Sequence, residues 1–178
     1  MRAIPLLLLP AAFAVLILGC AGDGEQEPLV TGNHENWSRT TTETLDFPVP
    51  GHGGGARRIF INPTGETVEP PDSAQEPWDY PDGTIIVKEI YSSSDPPEDV
   101  PPDSLTIMVK DRDHPMSRGG WVWITKSPGS DRETIFTEQF CVTCHANANE
   151  EHPYGDNNRE GQFRDYTFYP YRAEGTVD

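Results

Sequence analysis

Cysteine and lysine are scarce in this chain. Its 178 residues include 3 cysteines, too few for the dense disulfide framework that stabilises many small exported domains. The lysines are only Lys88, Lys110 and Lys126. A buried lysine without a partner is costly, so the position of Lys88 within the apolar run TIIVKEIY requires an explanation.

Basic residues in general are few. The chain has 13 lysines and arginines against 29 acidic residues, and its formal net charge is −16. A surface of this sign repels nucleic acid and anionic lipid headgroups, so nucleic-acid binding is excluded. The same charge suits a cationic external redox partner.

A single long hydrophobic run lies at the N-terminus. Residues 4–18 are almost wholly apolar and follow Arg2, but Pro5 and Pro10 interrupt the run. The run is too short and too broken for a membrane span, and it predicts a signal peptide over residues 1–19. Everything after this segment is therefore expected to be exported.

The signal peptide ends Ile-Leu-Gly-Cys, which resembles a bacterial lipoprotein processing site. That resemblance predicts lipidation of Cys20, and the alternative is an ordinary secretory signal beside an unrelated cysteine. Residues 20–35 are polar and acidic and predict a tether, with the folded domain over residues 36–178. We expect a membrane-anchored lipoprotein that faces the periplasm or the cell exterior.

Short runs of β-branched and aromatic residues, separated by proline-rich acidic connections, predict a mainly β fold. The expected strands cover residues 57–61, 85–91, 105–109, 121–124 and 166–169. We expect a loop-rich α+β arrangement, with an antiparallel sheet of about five short strands and one C-terminal helix. Ser130-x-x-Glu133 resembles a capping box for this helix, and Thr137 is an alternative start.

Strand alternation places Lys88 on one face with Ile86 and Ile90, and Glu89 on the other face. One explanation for Lys88 is an edge strand from which its side chain reaches water. The other is a lysine inside a pocket, where it pairs, loses its proton or takes part in chemistry. In that second case we expect Glu89 to lie on the solvent side.

The most specific motif is Cys141-x-x-Cys144-His145. In an exported chain this is the attachment signature of c-type haem, because one helical turn lets both thiols bond the two vinyl groups while the adjacent histidine binds the iron. A zinc site needs four ligands and finds no second pair nearby. A redox Cys-x-x-Cys belongs in a βαβ pattern, which is absent. The motif predicts one covalent haem c, with His145 as the metal ligand.

The sixth iron position decides the chemistry, and several side chains are candidates for it. They are Met108, Met116, His114, His152, His34 and His52. A methionine or histidine there would give an electron-transfer cytochrome, whereas an open position would bind a small ligand.

Together these motifs give the chain a resemblance to the cytochrome P-460 family. The resemblance runs from about Asn36 to Tyr171 and rests on RRIFINP, DGTIIVKE, GWVWITK, CVTCH and DYTFYP. It implies an exported, homodimeric, monohaem c cytochrome on a mainly β fold. It also implies one of two activities, the oxidation of hydroxylamine or the binding of nitric oxide and similar gases without turnover.

The resemblance assigns roles to individual residues. In the hydroxylamine-oxidising members, the lysine of the VKE strand is bonded to a meso carbon of the porphyrin, and Lys88 is the matching residue. Arg57 matches a distal-side arginine that can stabilise negative charge on a ligand, and its alternative is a solvated basic residue. Where those enzymes carry a distal carboxylate, this chain has Thr106, so a proton acceptor would have to come from Asp103 or Asp111.

Three functions are compatible with these features. The first is a lipid-anchored oxidoreductase that acts on hydroxylamine or a related small nitrogen compound, with Lys88 and Arg57 in its active site. The second is a cytochrome that binds nitric oxide or another gas without turnover. The third is an electron carrier with a methionine or histidine as sixth ligand. Only the first needs a bond between Lys88 and the haem.

Overall fold

The computed structural model describes residues 28–31, 33–49, 51–52, 55–73, 76–151 and 158–171. The predicted signal peptide, the predicted lipidation site Cys20 and the candidate ligand His152 lie outside the described residues. None of the helices in the described ranges is long and apolar enough to cross a membrane.

The described strands form one antiparallel sheet in which each strand pairs with the next along the chain. They are β1 (Ser38–Arg39), β2 (Arg57–Ile61), β3 (Ile85–Ile90), β4 (Ser104–Lys110), β5 (Trp121–Lys126) and β6 (Glu133–Phe136). One α-helix, α1, covers Gln139–Ala146, and short 3₁₀ turns cover His34–Asn36, Gly65–Thr67 and Asn147–Asn149. The prediction of a mainly β fold with one helix near the C-terminus is confirmed.

Four of the five predicted strands are confirmed as β2 to β5. The fifth, over residues 166–169, is wrong, because that segment forms turns and bends. Asp165 and Tyr166 have φ angles of 50° and 65°, which lie in the left-handed region and break an extended chain. Strands β1 and β6 were not predicted from the sequence.

Strand β6 occupies the segment in which the capping box was expected. Glu133 does not cap a helix, because its carboxylate accepts hydrogen bonds from the backbone N–H groups of Leu29 and Val30, both at 2.9 Å. The helix begins later, at Gln139. Leu29 and Val30 of the predicted tether thus pack against the sheet.

The sheet carries an apolar cluster on each face. The first face gathers Ile59, Ile61, Ile86, Met108, Trp121, Trp123 and, from α1, Val142. The second face gathers Val87, Leu105, Ile107, Val109, Val122 and Ile124, together with Val30, Leu29 and Trp37. Alternation along the strands explains this division, because successive side chains point to opposite faces.

The expectation that Glu89 lies on the solvent side was wrong. Its side chain is on the second face and 4% exposed. One carboxylate oxygen lies 2.8 Å from His34 Nε2, and the other accepts a hydrogen bond of 2.6 Å from the Tyr91 hydroxyl. Burial alone would raise the pKa of Glu89, but these hydrogen bonds hold that pKa below its ordinary value. His34, from the segment that covers the second face, and Tyr91, which directly follows β3, supply the partners that replace water.

Candidate functional site

Helix α1 presents the three motif residues on one side. Residues three and four positions apart face the same way on a helix, so Cys141, Cys144 and His145 project together. Val142 packs into the first-face cluster, which fixes the rotation of the helix. The two cysteines are free thiols, and all three motif residues line one cavity between α1 and the sheet.

The cavity has a volume of about 220 Å³ and a mainly apolar wall. Its apolar side chains include Ile86, Met108, Trp123, Phe136 and Phe140. A second, smaller cavity of about 50 Å³ shares Ile86, Lys88, Met108 and His145 with the first and adds Arg57 and Tyr169. The mainly apolar lining with a few polar side chains is typical of a cofactor site.

His145 is held in one tautomer. It is 7% exposed, and its Nδ1 lies 2.9 Å from the backbone carbonyl oxygen of Tyr166. A carbonyl oxygen can only accept, so Nδ1 carries the proton and Nε2 keeps its lone pair. Burial lowers the pKa of His145 to about 3. The imidazole is therefore neutral, which is the form that binds a metal.

Aromatic rings fix the plane of the His145 side chain. The ring centroid of His145 lies 4.8 Å from that of Trp123 and 5.4 Å from that of Phe168, both edge to face. A ring packed in this way loses little rotational freedom when it binds a ligand, because that freedom is already restricted.

Lys88 lies in the interior of the sheet and lines both cavities. Strand β3 has a neighbour on each side, with Lys88 opposite Ile59 of β2 and Thr106 of β4, so the edge-strand explanation is wrong. Among the described residues, no hydrogen bond or ion pair holds its ammonium group. Burial, followed by the charge of Arg57, lowers the pKa of Lys88 to about 8. The covalent role of Lys88 stays a prediction.

Arg57 begins strand β2 and is 2% exposed, so it is not a solvated basic residue. Its guanidinium donates a hydrogen bond to the Phe47 carbonyl oxygen and lies 4.9 Å from the centroid of the Phe47 ring. Burial lowers the pKa of Arg57, yet it stays protonated because an arginine pKa is so high. Arg57 thus places a positive charge at the second cavity, and its role towards a ligand stays a prediction.

The structure separates the candidates for the sixth iron ligand. Met108 and His52 line the cavity that holds the cysteines. Met116 and His114 lie in the β4–β5 connection and line neither cavity, and His34 lies on the second face.

His52 differs from Met108 because one of its polar atoms has no partner. Its Nδ1 is buried without a hydrogen bond to any described residue. The ring centroids of His52 and His145 are 6.0 Å apart. Burial, then the charge of Lys88, lowers the pKa of His52 to about 3. An unsatisfied imidazole, two free thiols and a tautomer-fixed histidine around one apolar cavity fit a haem.

Among the described residues, no carboxylate reaches either cavity. Thr106 lines the larger cavity, and no aspartate or glutamate lines either one. Asp103 instead accepts a hydrogen bond from the Ser92 N–H at 2.6 Å. Asp111 accepts one from the His114 N–H at 3.1 Å. Neither aspartate supplies the proton acceptor considered from the sequence.

Sequence reasoning missed Tyr166 as part of the site. Its contribution is a backbone carbonyl, and every residue type has one, so residue identity gives no signal. The nearest signal is the motif DYTFYP, which contains both Tyr166 and Phe168.

Comparison with known proteins gives a family match. The family model described as Cytochrome P460 matches residues 32–169, a range that includes all six strands, α1 and the segment with Tyr166 and Phe168. None of the curated proteins compared with the chain matches it.

Proposed function

This chain belongs to the cytochrome P460 family and is therefore a c-type haem protein, and from that premise we propose that it oxidises hydroxylamine or a related small nitrogen compound. The observation that carries the proposal is that Lys88 lines the same cavity as Cys141, Cys144 and His145. When bound, the haem supplies a redox centre that accepts electrons from the substrate and passes them to an external acceptor.

Four side chains of this chain would hold the haem. The thiols of Cys141 and Cys144 suit the two thioether bonds, and Nε2 of His145 suits the axial position because Nδ1 is already bonded to the Tyr166 carbonyl. We propose that Nζ of Lys88 forms a further covalent bond to a meso carbon of the porphyrin. One N–H bond of the amine and the meso C–H bond would break in this two-electron oxidation, and an oxidant of the peroxide class would take up the two hydrogens and two electrons as water. Its amine has no competing partner among the described residues.

Arg57 would act on the substrate rather than on the haem. Its guanidinium is anchored to Phe47 at the wall of the second cavity, so its position is fixed before a ligand enters. A fixed positive charge in a cavity that excludes water stabilises negative charge that develops on a ligand. We therefore assign Arg57 to the stabilisation of the substrate as it loses its protons.

Peptide mass spectrometry of the holoprotein tests the proposal. We expect the peptide that contains Lys88 to remain joined to the haem peptide that contains Cys141 and Cys144. In Lys88→Arg the two peptides should separate, whereas in the control Lys126→Arg they should stay joined. Separate peptides in the wild-type holoprotein would refute the cross-link and remove the main support for hydroxylamine oxidation.

A second candidate function is the binding of nitric oxide or another gas without turnover. The observation that favours it is the lack of a carboxylate among the described residues around both cavities, because oxidation of hydroxylamine needs a proton acceptor. Steady-state assays with hydroxylamine and an artificial electron acceptor separate the two functions. Tight binding of nitric oxide with no electron release would support this second candidate.

The third candidate, an electron carrier, is favoured by His52. Its unsatisfied Nδ1 in the cavity makes it the best-placed of the candidate sixth ligands. A low-spin ferric spectrum that becomes high-spin in His52→Ala would assign the sixth position to His52. A high-spin ferric spectrum in the wild-type protein would exclude the electron-carrier function.

We also propose that the chain is a lipoprotein that is anchored through Cys20 to a membrane surface and forms a homodimer. The backbone of Leu29 and Val30 is bonded to Glu133 of the sheet, so only a short segment separates Cys20 from the folded domain. Cys20→Ser should move the protein from the membrane fraction to the soluble fraction, and unchanged fractionation would refute lipidation. Sedimentation of that soluble variant tests the homodimer.

A further inference from the structure

A buried ion pair lies beside the turn that binds His145. Nζ of Lys110, at the end of β4, lies 2.7 Å from Oδ1 of Asp165, and the two residues are 3% and 4% exposed. Asp165 directly precedes Tyr166, whose carbonyl oxygen accepts the hydrogen bond from His145 Nδ1. A residue of the ion pair is therefore the chain neighbour of the residue whose carbonyl holds His145.

Trp121 completes the cluster around Asp165. Its indole Nε1 lies 3.0 Å from the backbone oxygen of Asp165 and 3.3 Å from Oδ1 of its carboxylate. The ammonium group of Lys110 lies 4.9 Å from the Trp121 ring centroid, a distance typical of a cation–π contact. Gly120 leaves room for this packing, because a Cβ there would lie 3.0 Å from Lys110 Nζ. Asp165 is thus held both at its side chain, by Lys110, and at its backbone carbonyl, by Trp121.

The turn needs such support because its backbone is strained. Asp165 and Tyr166 are consecutive residues with positive φ, and a non-glycine residue in this region costs on the order of 1–3 kcal/mol and persists only where its surroundings fix it. The left-handed conformation directs the Tyr166 carbonyl towards His145. Without the cluster, we expect the turn to relax towards extended backbone.

Stability alone does not account for a buried ion pair. Removing two charges from water is expensive, and apolar residues of similar volume are often as stabilising. Lys110 is one of three lysines in the chain. The hydrogen bond from Lys110 Nζ holds the Asp165 carboxylate in one position, which apolar side chains could not do.

We propose that Lys110, Asp165 and Trp121 form a positioning cluster for the axial histidine. The cluster fixes the Tyr166 carbonyl, and that carbonyl sets the tautomer, the orientation and the donor strength of His145. Outer-shell partners of a metal-bound histidine act in this way, since a firm acceptor at Nδ1 makes the other nitrogen more basic. The effect on the iron rests on the proposed haem site, whereas the effect on the tautomer of His145 does not.

The test uses Asp165→Asn and Lys110→Met, both close to the size of the native side chain. In the ferrous holoprotein we expect the iron–histidine stretching band to move to lower frequency and the reduction potential to become more positive. A weaker bond from His145 Nδ1 makes the imidazole a poorer donor, which favours the reduced iron. The NMR signal of the Nδ1 proton should also exchange faster with water.

Lys126→Met is the matched control. Lys126 is also a buried lysine of this sheet, but it lies on the other side and donates to the Val30 carbonyl oxygen at 2.7 Å. We expect this variant to lose thermal stability without a change in the stretching band or the potential. If the cluster had a purely structural role, Asp165→Asn and Lys110→Met would also lose thermal stability without a change in the stretching band or the potential.

The proposal is overturned if either Asp165→Asn or Lys110→Met folds, keeps His145 as axial ligand and retains the wild-type band and potential. If Lys110→Met does not fold, Asp165→Asn alone decides the outcome. If the purified wild-type protein carries no haem, the proposed function fails. Nitrogen NMR of that same protein then decides the present proposal, which requires the Nδ1–H tautomer of His145 in the wild type and its loss in Asp165→Asn.

Discussion

Replacement of Glu89 by glutamine would measure the stabilising effect of the buried network behind the strand that carries Lys88. Glu89 accepts hydrogen bonds from His34 Nε2 and from the Tyr91 hydroxyl, and the Tyr91 hydroxyl in turn accepts one from Arg58 Nη1 at 3.1 Å. Glutamine keeps the shape of the side chain but has a single carbonyl oxygen. Its amide group would therefore face a donor, and one of the two hydrogen bonds would be lost.

The size of the effect follows from the charge of the lost acceptor. A hydrogen bond to a charged group contributes about 1.5–3 kcal/mol, so we expect Glu89→Gln to lower the free energy of unfolding by about 2–3 kcal/mol. For a domain of this size, that loss lowers the melting temperature by about 7–10 °C. The exposed Glu69 gives a matched control, since Glu69→Gln should change stability by less than about 0.5 kcal/mol.

The effect should also depend on pH. The folded-state pKa of Glu89 is lowered, so its carboxylate stabilises the fold above the unfolded-state pKa of about 4.3. That contribution is lost as the pH falls through the folded-state pKa. Thermal melts of the wild type and Glu89→Gln should differ near neutral pH and converge in acid. Equal melting temperatures at neutral pH, or a gap that does not shrink in acid, would refute the reasoning.

Two further changes test the fold. Asn62→Ala removes an amide that accepts hydrogen bonds from two backbone N–H groups and donates one to a backbone carbonyl, so denaturant unfolding should show a loss of about 2–4 kcal/mol; a loss below about 0.5 kcal/mol would contradict this. Gly55→Ala would place a Cβ 1.8 Å from the Tyr91 carbonyl oxygen, and circular dichroism should show little folded protein. At Gly129 a Cβ meets no atom within 4 Å, so Gly129→Ala should remain folded.

The haem motif and the central strands were predictable because their causes are local. The vinyl groups of a haem dictate the spacing of Cys141 and Cys144, and the adjacent histidine follows from the helix. Strands β2 to β5 are each a run of strand-favouring residues, and neighbours on both sides keep these runs in the sheet. Short-range sequence information was sufficient for this part of the molecule.

The remaining features depend on contacts between distant residues. Alternation correctly placed Glu89 opposite Lys88, but it could not show that Leu29, Val30 and Trp37 pack on the second face or that His34 bonds the carboxylate. Glu133 has the spacing of a helix cap, but it pairs with Lys126 of β5 as part of a strand. Its carboxylate accepts a hydrogen bond from the Val30 N–H, 103 residues away. The carbonyl of Tyr166 was hidden for another reason, since a backbone group gives no sequence signal.

The scarcity of lysine now has a structural explanation. Lys110 is paired with Asp165, and Lys126 donates to the Val30 carbonyl oxygen, so each of these two stabilises a packed segment of the chain. Lys88 is the lysine for which the described residues offer no hydrogen-bond or ion-pair partner, although it lies in the interior of the sheet. A half-buried amine without a partner is unfavourable for stability alone. Its retention at the cavity of the haem motif is therefore best explained by the chemistry of that cavity.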